Sequence, residues 1–281
     1  MSKPSHNHIQ DTNDTEAVFY GENAMLDTKI SRREFLSRLL AAMPGISIAP
    51  VFAGAAERLK ITTLALQDGP QNCIYLHFTD LHFNGDTFLT QKVIDEFHRL
   101  KPDFGCFTGD LLDDAAHKDG AFRFIKSLGC PIYGVPGNHD HSCGIPSGDF
   151  ARAFAETGGG WLVDSGIVTE DGRIEIIGID NVAARTFDPP RAPHSILLTH
   201  YPLAVDMVEE RRFAVILAGH SHGGQIRVPL YGSVYLPHWV GKYDRGRFDT
   251  RAGVMNVSAG IGTSTLPIRI HCPPEITLVT A

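Results

Sequence analysis

Five short apolar runs constrain this chain more than any other feature. They are CIYLHFTD (73–80), DFGCFTGD (103–110), PIYGVPGN (131–138), HSILLTH (194–200) and FAVILAGH (213–220). Each is short and continuous, the pattern of a strand buried on both faces. Each ends in a polar residue or a glycine turn. Between the first two runs, Leu89, Val93, Phe97 and Leu100 fall at helical spacing. Phe122, Ile125 and Leu128 do the same before Pro131, and Phe150 with Phe154 follow. The chain therefore opens as β-α-β-α-β. Its character then changes. WLVDSGIVTEDGRIEIIGID (161–180) predicts strands joined by a hairpin turn at Asp171-Gly172. QIRVP, VMNVSAG and EITLVTA are strand patterns with no long helix between them, and RTFDPPRAP (185–193) is a surface loop. Mixed sheets with helices outside predict an α/β protein, a two-sheet αββα sandwich.

Composition narrows the function. The chain has 281 residues, 43% hydrophobic and 20% charged, with a net charge of −7. That balance argues against a general nucleic-acid binder, which needs a basic face to neutralise phosphates. Cys73, Cys106, Cys130, Cys143 and Cys272 are odd in number and lack CxxC spacing, so neither a disulfide framework nor a zinc ribbon is expected. Cys73 and Cys106 read as small buried hydrophobes. Cys143 is the one cysteine to check for reactivity.

Residues 1–30 are polar and aperiodic and read as disordered. From Leu39 to Ala56 there is no charge, but Pro44, Gly45 and Pro50 interrupt the run, a poor fit to a spanning helix. A signal-peptide apolar region fits better, with Ala53-Gly54-Ala55 as a cleavage candidate. Ser31-Arg32-Arg33, followed by Glu34-Phe35-Leu36, resembles the bacterial twin-arginine export signal. The expected division is 1–56, a disordered region plus signal or anchor segment, and 57–281, one globular domain. The signal implies the export machinery as a partner and a periplasmic or cell-envelope location; the alternative is a membrane-anchored protein.

The strand ends carry the chemistry: Asp80 and His82, Asp110, Asn138 and His139, His200, His220 and His222. Loops at the carboxyl ends of strands are where open α/β sheets bind ligands. In Asp80-x-His82 and His220-x-His222 the side chains are two apart and project to one side of an extended segment. Carboxylate oxygen with imidazole nitrogen suits Mn, Fe or Zn.

The set D-x-H, G-D, G-N-H-D, H and G-H-x-H, in that order, resembles the calcineurin-like metallophosphoesterases. The resemblance implies the metallo-dependent phosphatase fold and two divalent metals. One metal would take Asp80, His82, Asp110 and His222. The other would take Asp110, Asn138, His200 and His220, with Asp110 as the bridge. A metal-activated water would attack phosphorus in line, and His139, off the metals, would protonate the departing oxygen. Asp113 would orient that histidine; the alternative for Asp113 and Asp114 is a solvated helix start. Asp140 and His141 are expected to support rather than ligate.

The departures matter as well. Protein phosphatases of this superfamily carry G-D-x-x-D-R-G and a Glu after N-H. Here Asp114-Ala115 and Asp140 stand instead, which removes the phosphate-gripping arginine. GHSHGGQIRVPLYG and GIGTSTLPIRIHCPPEITLVTA resemble a bacterial subgroup that holds twin-arginine-exported phosphoesterases and UDP-2,3-diacylglucosamine hydrolases of lipid A synthesis. Gly223 and Gly224 would let backbone approach a ligand closely.

The expected activity is hydrolysis of a phosphodiester or pyrophosphate, with a lipid-linked substrate and peripheral membrane association as one form of it. A broad exported phosphatase for phosphate scavenging and a non-catalytic metal-binding module are the alternatives. UDP-2,3-diacylglucosamine is made on the cytoplasmic side, which conflicts with export. PHWVGKYDRGRF (237–248) interleaves aromatic and basic residues. It reads as a flap in which Trp239, Lys242 and Arg245 bind substrate, or as a hairpin whose aromatics cover a sheet edge.

Overall fold

The computed structural model describes residues 58–281, apart from 68, 71, 184, 210 and 211. The signal or anchor segment read over 1–56 lies outside the described residues.

Two six-stranded sheets stack face to face, as the sequence pattern predicts. In the first, the order is β1 (Lys60–Ala65), β14 (Glu275–Thr280), β2 (Ile74–Phe78), β3 (Phe104–Phe107), β4 (Ile132–Gly134) and β5 (Gly160–Trp161). Neighbours run parallel except β14 and β2. In the second, the order is β12 (Gly246–Thr250), β13 (Gly253–Val257), β9 (Phe213–Ala218), β8 (His194–Thr199), β7 (Ile174–Ile179) and β6 (Ser165–Val168). Both outer pairs are antiparallel and the middle is parallel. A short hairpin, β10 (Arg227–Val228) with β11 (Gly232–Ser233), stands apart.

Strand alternation divides the core. In β2, Tyr75 faces the second sheet while Leu76 and Phe78 face the helices; in β3, Phe104 and Cys106 face inward and Phe107 outward. Ile196, Leu198, Val215 and Leu217 meet Tyr75, Cys106 and Tyr133 between the sheets. A fully buried Leu, Ile or Phe contributes about 1.5–3 kcal/mol of transfer free energy. Leu76, Phe78 and Phe107 are covered by α1 (Thr87–Leu100), α2 (Lys118–Ser127) and α4 (Ser147–Ala155) through Val93, Phe97, Ile125, Phe150 and Phe154. Helix α1 starts where Asp86 accepts from the Phe88 N–H at 2.8 Å and stops at left-handed Lys101. The far face of the second sheet has thinner cover: a 3₁₀ turn (Pro202–Met207) and the segment bearing Tyr243 and Phe248. The helix-forming motif GNHDH starts α3 (Asn138–Ser142), directly after β4.

Candidate metal centre and active site

The strand ends meet at one end of the sandwich, and the eight predicted side chains meet with them. His82 Nε2 lies 3.1 Å from His222 Nε2 and 3.5 Å from Asp110 Oδ2, and His222 Nε2 lies 3.5 Å from Asp80 Oδ1. On the other side, His200 Nε2 lies 3.3 Å from Asp110 Oδ2, 3.2 Å from Asn138 Oδ1 and 3.0 Å from His220 Nδ1. Asp110 therefore stands between two groups, Asp80–His82–His222 and Asn138–His200–His220. Among the described residues, Asp80, His82 and His222 bring ligand atoms within 4.8 Å of one another, and so do Asp110, His200 and His220.

This positioning costs backbone strain. Asp80, His82, Asp110, His220 and His222 all have φ between 44° and 65°. Non-glycine residues held there cost on the order of 1–3 kcal/mol each, a strain characteristic of functional sites. Two glycines are dictated by close approach. A Cβ on Gly137 would sit 2.1 Å from Asp110 Oδ1, and one on Gly219 would sit 2.0 Å from Thr79 Oγ1. Gly223 and Gly224 behave differently from the expectation above. A Cβ there would meet Cys272 and Ala259, or Ser233, so these glycines pack against the protein itself.

Three of the four candidate ligand histidines are aimed by the hydrogen bond at their other nitrogen. His200 Nδ1 donates to the Thr108 carbonyl at 2.7 Å, and His220 Nε2 donates to the His238 carbonyl at 2.8 Å. A carbonyl only accepts, so in the neutral rings His200 Nε2 and His220 Nδ1 carry lone pairs, and these face each other at 3.0 Å. Two acceptors in that position fit a shared cation, and the donor set fits a borderline divalent metal. His82 Nδ1 meets Asp113 Oδ1 at 2.6 Å, which turns Nε2 toward Asp110. His222 Nδ1 is buried with no hydrogen-bond partner.

Without metal, the electrostatics divide the histidines. Burial and the neighbouring His200 hold His220 down at about 3, and burial holds His222 well below its ordinary value. Both are therefore neutral, as ligands must be. Burial works against a charge on His200, but Asp110 and Asp80 outweigh it and lift His200 to about 9. Burial opposes ionisation of Asp110, yet the adjacent His200 and His82 hold it well below the carboxylate range.

Asp113 does more than expected. Its Oδ1 also meets His139 Nδ1 at 2.8 Å, so one carboxylate orients a ligand, His82, and the predicted acid, His139. Burial works against a charge on His139, but Asp113 and Asp110 raise it to about 9. Asp140 supports, as expected: it is buried and accepts from the N–H groups of Asp110 (2.8 Å), Leu111 (2.8 Å) and Gly137 (2.9 Å). His141 lies 2.6 Å from Asp180. The flap residues separate. Trp239 is exposed, next to His238. Lys242 lies over the Tyr243 ring, and Arg245 reaches Cys272 Sγ at 3.8 Å beside Gly223. Tyr243 and Phe248 join the outer core cluster. Sequence reasoning missed the Thr108 and His238 carbonyls and buried Arg269, which donates to Gly262 and Ala259 around the His222 loop. Backbone acceptors leave no signal in side-chain chemistry.

A two-sheet α/β sandwich that gathers carboxylate and imidazole side chains at its strand ends has the donor set of a divalent-metal site, and the family match makes it a metal-dependent phosphoester hydrolase. Residues 75–224, just over half of the chain, match the family described as calcineurin-like phosphoesterase, and the chain belongs to that family. It is 29% identical to an uncharacterised metallophosphoesterase, YkuE, of Bacillus subtilis, over 90% of this chain and 98% of that protein. It is 26% identical to phosphodiesterase YaeI of Escherichia coli, over 89% and 98%. It is 25% identical to UDP-2,3-diacylglucosamine pyrophosphatase LpxG of Chlamydia trachomatis, over 75% and 85%. Among solved structures, a dimetal phosphatase from Danio rerio aligns with TM-score 0.43 and 10% identity, covering 68% of this chain and 88% of that one.

Proposed function

We propose that this hydrolase cuts a phosphodiester or diphosphate bond, using two divalent ions, Mn, Fe or Zn, held by the ligand set above. A substrate carrying a lipid is the finer form of this reading, supported by similarity to a relative named as a UDP-2,3-diacylglucosamine pyrophosphatase; with export, the lipid-linked substrate is one of the cell envelope and not that cytoplasmic intermediate. The single observation that carries the reading is Asp113 Oδ1 between His82 and His139. A merely structural metal site needs no protonated histidine beside it.

Bound divalent ions would supply Lewis-acid polarisation of the phosphoryl group and an acidified water. The remaining work belongs to the chain. Thr108, His238 and Asp113 hold His200, His220 and His82 in their ligating orientations. Asp140 holds the backbone of Asp110 and Gly137. His139 keeps a proton on Nδ1 against Asp113, which leaves Nε2 to protonate the departing oxygen. The exposed Trp239 is the candidate for gripping the non-reacting part of the substrate. Arg32-Arg33 supports export and therefore a substrate in the cell envelope.

The experiment is a substrate panel on the full chain reconstituted with Mn, Fe or Zn: an aryl phosphodiester, a nucleotide-sugar diphosphate and an aryl phosphomonoester. The proposal predicts turnover of diesters or diphosphates above the monoester. Turnover of the monoester alone would overturn it in favour of a scavenging phosphatase.

A further inference from the structure

We propose that the end of the sandwich carrying the metal centre is a docking face for a lipid bilayer, so that the site opens toward the membrane surface. The proposal does not depend on which ester is cut. Among the described residues, the most exposed large apolar side chains are Leu230 (110%), Tyr231 (74%), Phe88 (61%) and Trp239 (48%). Leu230, Tyr231 and Trp239 lie in turns and Phe88 in the first turn of α1, each in a segment that adjoins a loop of the metal centre. Leu230 and Tyr231 form the tip of the β10–β11 hairpin. Its base is tied to the His222–Gly224 turn, where Arg227 Nη1 donates to the Gly223 carbonyl at 2.9 Å and to Ser233 Oγ at 2.8 Å. Trp239 follows His238, whose carbonyl orients His220. Phe88 lies in the first turn of α1, just past the loop that leaves Asp80 and His82.

The position where the chain joins the fold is a second, independent observation. The Lys60 N–H donates to the Pro274 carbonyl at 2.8 Å, and β1 runs parallel to β14 from Glu275 onward. Strand β14 is antiparallel to β2, and β2 leads directly into Asp80. Hence the first described strand starts at the metal end. Pro274 is also only four positions from Ile270, which pairs with Ile226 at the hairpin base. Immediately before that strand lies the uncharged stretch Leu39–Ala56. Where that stretch is kept as the anchor weighed above and not cleaved as a signal, the metal end is the part of the domain held next to the membrane. Exposed Arg58 and Lys242 on the same end suit anionic headgroups, while Lys60 pairs with Glu275 at 4.0 Å and Asp86, Asp113 and Asp114 are exposed nearby, so the docking rests on the apolar side chains.

The hairpin tip shows the same bias. Leu230 has φ 66°, and the Tyr231 N–H closes the turn on the Val228 carbonyl at 3.1 Å. Glycine or asparagine would fill that left-handed position at less cost. A strained, fully exposed leucine is accounted for if the side chain itself is used. Tyrosine and tryptophan sit at the headgroup level of a bilayer, and leucine reaches into the acyl boundary.

The chain's two tryptophans, Trp161 and Trp239, supply the test. Trp161 stacks on Phe150 with ring centroids 5.0 Å apart, inside the first sheet's helical layer. The full chain is mixed with vesicles of phosphatidylethanolamine and phosphatidylglycerol, with and without brominated acyl chains. Wild-type emission should be quenched by the brominated lipid, and Trp239→Phe, which leaves Trp161 alone, should not respond. Leu230→Asp with Tyr231→Asp should lose roughly tenfold or more in vesicle partition and retain hydrolysis of a small soluble aryl phosphodiester. Co-sedimentation without Trp239 quenching would place the site facing away from the bilayer and overturn the proposal. So would no vesicle binding, an unaffected double variant, or self-association through this face in place of lipid binding. Failure of every variant and the wild type to cut the soluble diester would count against the phosphodiesterase reading and leave the docking result standing.

Discussion

Replacing Asp113 by asparagine tests the device that joins metal binding to proton transfer. Asp113 Oδ1 accepts from His82 at 2.6 Å and from His139 at 2.8 Å. The substitution keeps the shape and removes the charge. Two losses follow from the geometry. Without the carboxylate, His82 is held less firmly toward Asp110, and loss of such an orienting partner typically weakens metal binding by about 10–100-fold. His139 also loses the Asp113 hydrogen bond and charge, which with Asp110 lift it to about 9 against burial, so less of it is protonated at neutral pH. General acid catalysis is worth about 10²–10⁴-fold, and a weakened acid should forfeit about 10–100-fold of that on substrates with poor leaving groups. The assay is kcat measured at rising metal concentration with an alkyl and an activated aryl phosphodiester. Excess metal should restore the aryl rate and leave the alkyl rate depressed. Full restoration of both would refute the acid role, and an unchanged metal requirement would refute the role in aiming His82.

His139→Ala should retain its metal and lose roughly 10²–10⁴-fold on poor leaving groups, with a smaller loss on aryl esters; equal losses would make His139 a positioning residue. Metal affinity should rise with pH up to about 9, because His200 must release its proton for Nε2 to ligate; a flat profile by calorimetry between pH 7 and 9 would contradict this. The same raised value has a sign for stability. In the metal-free protein the contribution of His200 is fully present below its unfolded value of about 6.5 and is lost as pH rises through about 9. The Tm of metal-free protein should therefore fall across that window. Gly137→Ala, whose Cβ would sit 2.1 Å from Asp110 Oδ1, should displace the bridge and abolish metal binding while far-ultraviolet circular dichroism stays close to wild type.

Much of the site was legible because its chemistry lies in side chains at strand ends. The runs ending at Asp80, Asp110, Asn138, His200 and His220 are buried strands or lead directly out of them, and their terminal residues converge. The helices over the first sheet followed from Val93, Phe97, Ile125 and Phe154 at helical spacing. Less regular parts were hidden. The segment 237–248 mixes roles at neighbouring positions: Tyr243 and Phe248 are core, Arg245 reaches Cys272, and Trp239 is exposed. No periodicity separates these. β1 and β14 pair across almost all of the described residues, from Lys60 to Glu275, and single-sequence patterns carry no information on such pairing. The double use of Asp113 is a product of tertiary packing, since His82 approaches it from the loop after β2 and His139 from the first turn of α3.

The central claim is that one carboxylate, Asp110, joins two metal positions. Metal analysis of the full chain purified without chelator, beside Asp110→Ala and His222→Ala, tests it most directly. The account predicts two ions per wild-type chain, loss of both in Asp110→Ala and selective loss of one in His222→Ala. A saturated wild-type chain with one ion or none, or an Asp110→Ala chain that keeps both, would contradict it.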